Sequence, residues 1–150
     1  MFDEKNFNTD ETAAAAGVAA GTLRQWRARN NLLAETVDGT NTHKKFSALD
    51  VCVIRTVHLL SRFMAVEFAI LFAEGKVRRK IKALLDRRDI QPDIGLELHD
   101  IWNGQPTFSD DPGSTRDELL DGSKGEIVLI DVQKRIIDPV LKKLKLNGPQ

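Results

Sequence analysis

The sequence predicts a mainly α fold: a winged helix-turn-helix head with a small β-hairpin wing, followed by a C-terminal strand–helix extension. Three observations predict it. Two short helical runs, Glu11 to Ala16 and Ala20 to Arg29, flank a glycine at position 17. An Asp-Gly hairpin signal, Asp38-Gly39, follows them. A longer apolar helix starts just after Ser47. Two helices on a tight turn, a glycine hairpin and a further helix make the winged pattern.

The elements follow in order. Asn8, Thr9 and Asp10 are each able to cap the first helix, because a short polar side chain can accept from a free N–H in the first turn. Gly17 tolerates positive φ and suits the turn. In the second run Leu23 and Trp26 share a face at i, i+3 spacing. Asn30-Asn31 closes it, since Asn tolerates the left-handed conformation. The flanks of the hairpin, Leu33 to Val37 and Thr42 to Phe46, are expected to pair as a ribbon. Ser47 with Asp50 three residues on reads as a capping box, with Asp in place of the usual Glu. Val51, Ile54, Val57 and Leu60 carry the apolar stripe of the third helix. A further helix is expected over Ala65 to Ala73, with Gly75 breaking or bending it. Lys76 to Arg88 is amphipathic, and a short helix is expected around Leu96 to Trp102. Glu126 to Val132 is a β-branched run and reads as a strand. Gln133 to Leu146 is amphipathic; Pro139 either kinks that helix or starts a second one capped by Asp138.

This divides the chain into a head (1–75), a helical connector (76–103), an acidic mobile loop (104–125) and a strand–helix element (126–150) that serves dimerisation or packs on the head. In the C-terminal third, Trp102 and Phe108 are candidates for an effector pocket.

Composition bounds the function. The chain has 150 residues, with 22 basic and 22 acidic side chains and a formal net charge of zero. The charges are segregated. Residues 51–90 carry nine basic and four acidic groups, whereas residues 91–133 carry two basic and ten acidic groups. Such asymmetry points to a charged partner or to an intramolecular mask of the basic surface. The single cysteine, Cys52, excludes an internal disulfide framework and fits a reducing, cytoplasmic setting. No signal-peptide core follows the polar start Met1 to Lys5, and the apolar stretch Phe63 to Ala73 is too short for a bilayer and contains Glu67. His43, His58 and His99 show no metal-ligand spacing, so no metal is expected. There is no phosphate loop, nucleophile elbow or H-E-x-x-H, so neither an enzyme nor a cofactor is expected.

The head also resembles the MerR-like family of bacterial regulators. Phe7 takes the first aromatic position of that pattern, and Ala13, Gly17-Val18 and Thr22-Leu23-Arg24 follow at matching spacing. Trp26 fills the second aromatic position, and Asn31-Leu32-Leu33 is similar to the helix-ending Gly-Leu-Leu. His43-Lys44-Lys45-Phe46-Ser47 resembles the end of the wing, and Asp50 matches the acid in the next turn. The resemblance covers about residues 7–73. It departs at Gln25, where Tyr is common, at Gly21, where Arg is frequent, and at Lys44, which replaces Arg and lacks its bidentate fork. It implies a sequence-specific regulator of bacterial or phage type that binds double-stranded DNA as a homodimer, away from any membrane. The second helix would enter the major groove and the wing would touch the backbone or minor groove. The implied DNA contacts are Thr22, Arg24, Gln25, Arg27, Arg29, His43, Lys44 and Lys45. Trp26 and Phe46 read as core, Cys52 as a small buried residue, and the run Arg78 to Lys82 as a solvated face. An architectural or DNA-packaging protein with the same head, or an interaction adaptor, is the alternative. The cysteines of the family's metal sensors have no counterpart, and any small-molecule effector is unspecified.

Overall fold

The computed structural model describes residues 2–34, 45–98, 107–109 and 126–146. The ribbon expected for the wing, most of the acidic loop and Trp102 lie outside the described residues.

Helix α1 (Thr9–Ala16) is started by Asn8, one of the three candidate caps. The Glu11 N–H donates to Asn8 Oδ1 at 2.8 Å, and the Asn8 N–H donates back to Glu11 Oε1 at 3.2 Å. Gly17 ends the helix at φ 82°, and its N–H and that of Val18 both reach the Ala13 carbonyl at 3.0 Å. Helix α2 (Ala20–Asn30) stops at Asn31, which is left-handed at φ 55°. Its N–H and that of Leu32 close on the Trp26 carbonyl.

Helix α3 (Ala48–Leu60) is buried along nearly its whole circumference and forms the centre of the fold. The Ser47–Asp50 capping box is present in both directions, at 3.0 and 2.9 Å. Phe46, just before it, pairs antiparallel with Phe7, so the chain re-enters beside the start of α1.

Helix α4 (Val66–Phe72) does not break at Gly75. It passes through a π-helical turn, Ala73–Val77, into α5 (Arg78–Leu85). The helix persists because Ala73, Val77, Ile81 and Leu85 must stay on the core face. The wider turn absorbs one residue of phase and aims Glu74 at the Leu33 N–H, 2.7 Å away.

The segment after α5 corrects one expectation. Residues around Leu96 do not form a helix; Asp93–Leu98 is strand β1. Apolar and polar or glycine residues alternate from Asp93 to Leu98, a period of two that suits a strand. β1 is the centre of a three-stranded antiparallel sheet ordered β2-β1-β3. β2 (Thr107–Ser109) thus places a strand inside the segment expected to be mobile loop. β3 (Glu126–Asp131) is the expected strand, with Gly95 opposite Leu129.

Helix α6 (Asp138–Lys143) follows a second π-helical turn, Gln133–Ile137, with Pro139 in its first turn. Proline has no N–H for the carbonyl four residues back, which is that of Arg135. Arg55 Nε donates to that carbonyl, at 3.3 Å.

The buried apolar side chains form one cluster that runs from Ala13 and Leu23 through α3 and α5 to Ile94, Ile130, Ile137 and Leu141. Head and C-terminal element therefore share one core. Among the described residues no helix is long and apolar enough to cross a membrane.

Candidate nucleic-acid interface

Helix α2 has two unlike faces. Leu23 and Trp26 point inward, with Trp26 only 8% exposed. Burying two such side chains stabilises the seat of the helix by about 2 kcal/mol each. The opposite stripe, Gly21, Arg24, Gln25 and Ala28, lies at i, i+3, i+4, i+7 and is exposed throughout, with Arg29 beside it. A side chain at Gly21 would meet nothing within 4 Å, so the N-terminal end of this face is open.

Arg24 leans on Asp10 of α1, Nη2 to Oδ1 at 3.4 Å, with the two side chains 63% and 79% exposed. A pair this exposed is worth a few tenths of a kcal/mol, about 0–1 at most. Arg24 is thus positioned without being committed to its partner. Thr22 is half-buried on the flank of the helix. Lys45 is exposed, immediately before the buried Phe46. His43 and Lys44 fall outside the described residues.

Arg27 stands apart from the outward stripe. Its Nε donates to the Leu32 carbonyl at 3.3 Å, and its guanidinium lies 5.2 Å from the centre of the Phe46 ring. Burial pulls its pKa below the ordinary arginine value, opposed by the charge of Asp50. Residue 27 follows Leu23 by four and so shares its face. Arg27 joins the end of α2 to Phe46, just before α3.

Asp50, expected as a helix cap, does more. It is fully buried and also pairs with Lys5 and, at 3.3 Å, with Arg78 Nη1. Burying a carboxylate is costly unless it is paired and hydrogen-bonded, and here both oxygens are engaged. The N-terminal arm, α3 and α5 thus meet on one carboxylate.

That finding corrects the reading of the basic run. Arg78 serves Asp50, and Lys80 is buried with its Nζ 2.6 Å from the Asp93 carbonyl. Lys82 pairs with Asp3 at 3.4 Å, while Arg79 stays exposed. Only part of the run is a solvated face.

Arg55 was not singled out by sequence reasoning. Its Nη1 donates to the Ala16 carbonyl at the end of α1, 3.3 Å away, while its Nε holds Arg135. The signal for Asp50 and Arg55 lies in their neighbours. Each interrupts the apolar run of α3, and a charge there requires a partner from elsewhere. Cys52 is fully buried, and burial pushes its thiol well above the ordinary range, so it stays protonated.

A scan against protein-family models finds no match to this chain, and a search of curated proteins finds none either.

Proposed function

We propose that the protein is a sequence-specific DNA-binding transcriptional regulator of bacterial or phage type, built on a winged helix-turn-helix of MerR-like kind. The observation that carries this reading is the outward stripe of α2. A helix held by Leu23 and Trp26 presents Arg24, Gln25 and Arg29 on an open face with Gly21 bare at its N-terminal end. Arginine is the commonest reader of guanine edges in the major groove and a strong phosphate ligand. Lys45, with Lys44 before it in sequence, supplies charge at the root of the wing, where a winged head meets the backbone or minor groove. Each head offers few base-reading side chains, so the reading includes a homodimer on paired half-sites.

The test begins with selection of bound duplexes from a random DNA library, followed by anisotropy titration of the winning site. Arg24→Ala should weaken binding about tenfold or more, the equivalent of losing one good base contact. Replacing Lys44 and Lys45 by Ala should flatten the salt dependence, because fewer counterions are released. No enrichment of any duplex at low salt would overturn the reading in favour of an interaction adaptor. Genome-wide mapping that finds dense binding with unchanged transcription would overturn regulation in favour of an architectural role.

A further inference from the structure

Helix α3 carries Arg55 and His58 three residues apart, hence on one side of the helix, and Arg62 follows in the turn just beyond its end. Arg135, in the π-helical turn before α6, joins this row through the bond from Arg55 to its carbonyl. Arg55 feels the positive charges of Arg62 and Arg135, and His58 those of Arg55 and Arg62. Arg55 is held below its ordinary pKa by burial and then by Arg135 and Arg62; His58 is lowered by burial and then by Arg55 and Arg62. Among the described residues, no carboxylate lies within ion-pair distance of Arg55, Arg62 or Arg135.

Arg55 has a structural reason to be there, since it satisfies two carbonyls. The side chains of Arg62 and Arg135 have no such reason. Both are exposed, and they line a cavity of about 160 Å³ together with Leu59, Phe63, Val128 and Ile130. Phe63 stands at its rim, 39% exposed. Two guanidinium groups beside an apolar recess define a ligand with two unlike ends. The recess has the volume of a cavity that takes one benzene ring, about 150 Å³. Arginine favours a planar anion.

We infer that this cavity binds a small aromatic or short branched aliphatic carboxylate, its apolar body among Leu59, Phe63, Val128 and Ile130 and its carboxylate on Arg62 and Arg135. No residue of α2 takes part, so the site stands whether or not the chain binds DNA.

The experiment uses the full chain and two probes, benzoate and isovalerate, in an NMR titration at constant ionic strength. One saturable site with Kd of about 0.1–1 mM is expected for a ligand of this size. Benzamide, equal in shape but neutral, should bind about tenfold more weakly. Arg62→Gln and Arg135→Gln should each weaken benzoate by about tenfold, and both positions are exposed, so the variants should fold. Val128→Phe, which fills the recess, should abolish binding of benzoate and benzamide alike. The inference is overturned if neither probe saturates below about 10 mM. It is also overturned if the Gln variants bind benzoate unchanged, or if inorganic phosphate binds as tightly as benzoate, which would leave the recess without a role.

Discussion

Removing the Asp50 carboxylate should destabilise the whole fold, and the size of the loss can be divided by choice of substitution. The side chain is fully buried, accepts from the Ser47 N–H at 2.9 Å, and pairs with Lys5 and Arg78. Asp50→Ala removes the return half of the capping box, worth about 1 kcal/mol. It also removes both ion pairs. Because Lys5 and Arg78 keep 38% and 26% of their side chains in solvent, each pair is discounted to about 1 kcal/mol. The expected total is about 3 kcal/mol. In a domain of this size that lowers Tm by roughly 6–12 °C. Asp50→Asn keeps an oxygen for Ser47 but loses the charge, so its cost should be nearer 2 kcal/mol. Urea denaturation followed by circular dichroism measures both. A loss below about 1 kcal/mol for the Ala variant would refute the meeting of three elements on this carboxylate. Equal losses for Asn and Ala would refute the division between cap and charge.

Gly17→Ala should cost about 2 kcal/mol, since alanine is strained at φ 82° and its Cβ would come within 2.8 Å of Arg55 Nη1; repeating it in an Arg55→Ala background should reduce the penalty to the backbone part. Ile137→Ala empties a fully buried position between the C-terminal element and the head, and should cost about 2–5 kcal/mol by denaturant unfolding. His58 has its folded pKa lowered by burial and by Arg55 and Arg62. The unfolded chain therefore takes up the proton first, so stability holds above the ordinary value near 6.5 and declines as pH falls from there toward the lowered value. His58→Gln should remove that part of the acid-side decline, read as a Tm gap between variant and parent that changes between neutral and mildly acidic pH.

Much of the helical frame was legible from short-range chemistry. Asn8 with Glu11, Ser47 with Asp50, Gly17 and Asn31 announce where helices begin and end, because caps and left-handed turns depend on the residues beside them. The two π-helical turns were not legible. Their local sequences suit an α-helix equally well, and their partners, Leu33 for Glu74 and Arg55 for Arg135, lie far away in the chain. Strand β1 was readable from its alternation, but the leucines and Trp102 around it also suited a short helix, and the pairing partner that decides is β3. For the candidate DNA surface, the division of α2 into inner and outer faces was legible at Leu23 and Trp26. The inward turn of Arg27 follows from the same spacing, although the residue type suggested a contact with DNA.

Arg55 ties two places that no local motif connects. One end of its guanidinium answers the turn that Gly17 makes, and the other answers the carbonyl of Arg135, four residues before Pro139. Changes at these three positions should therefore be epistatic, with double variants departing from the sum of their single effects. Among related chains a lost glycine, arginine or proline should be tolerated chiefly where the other two have changed as well. Covariation among positions 17, 55 and 139 would then record in sequence the joining of the helical turn to the C-terminal segment.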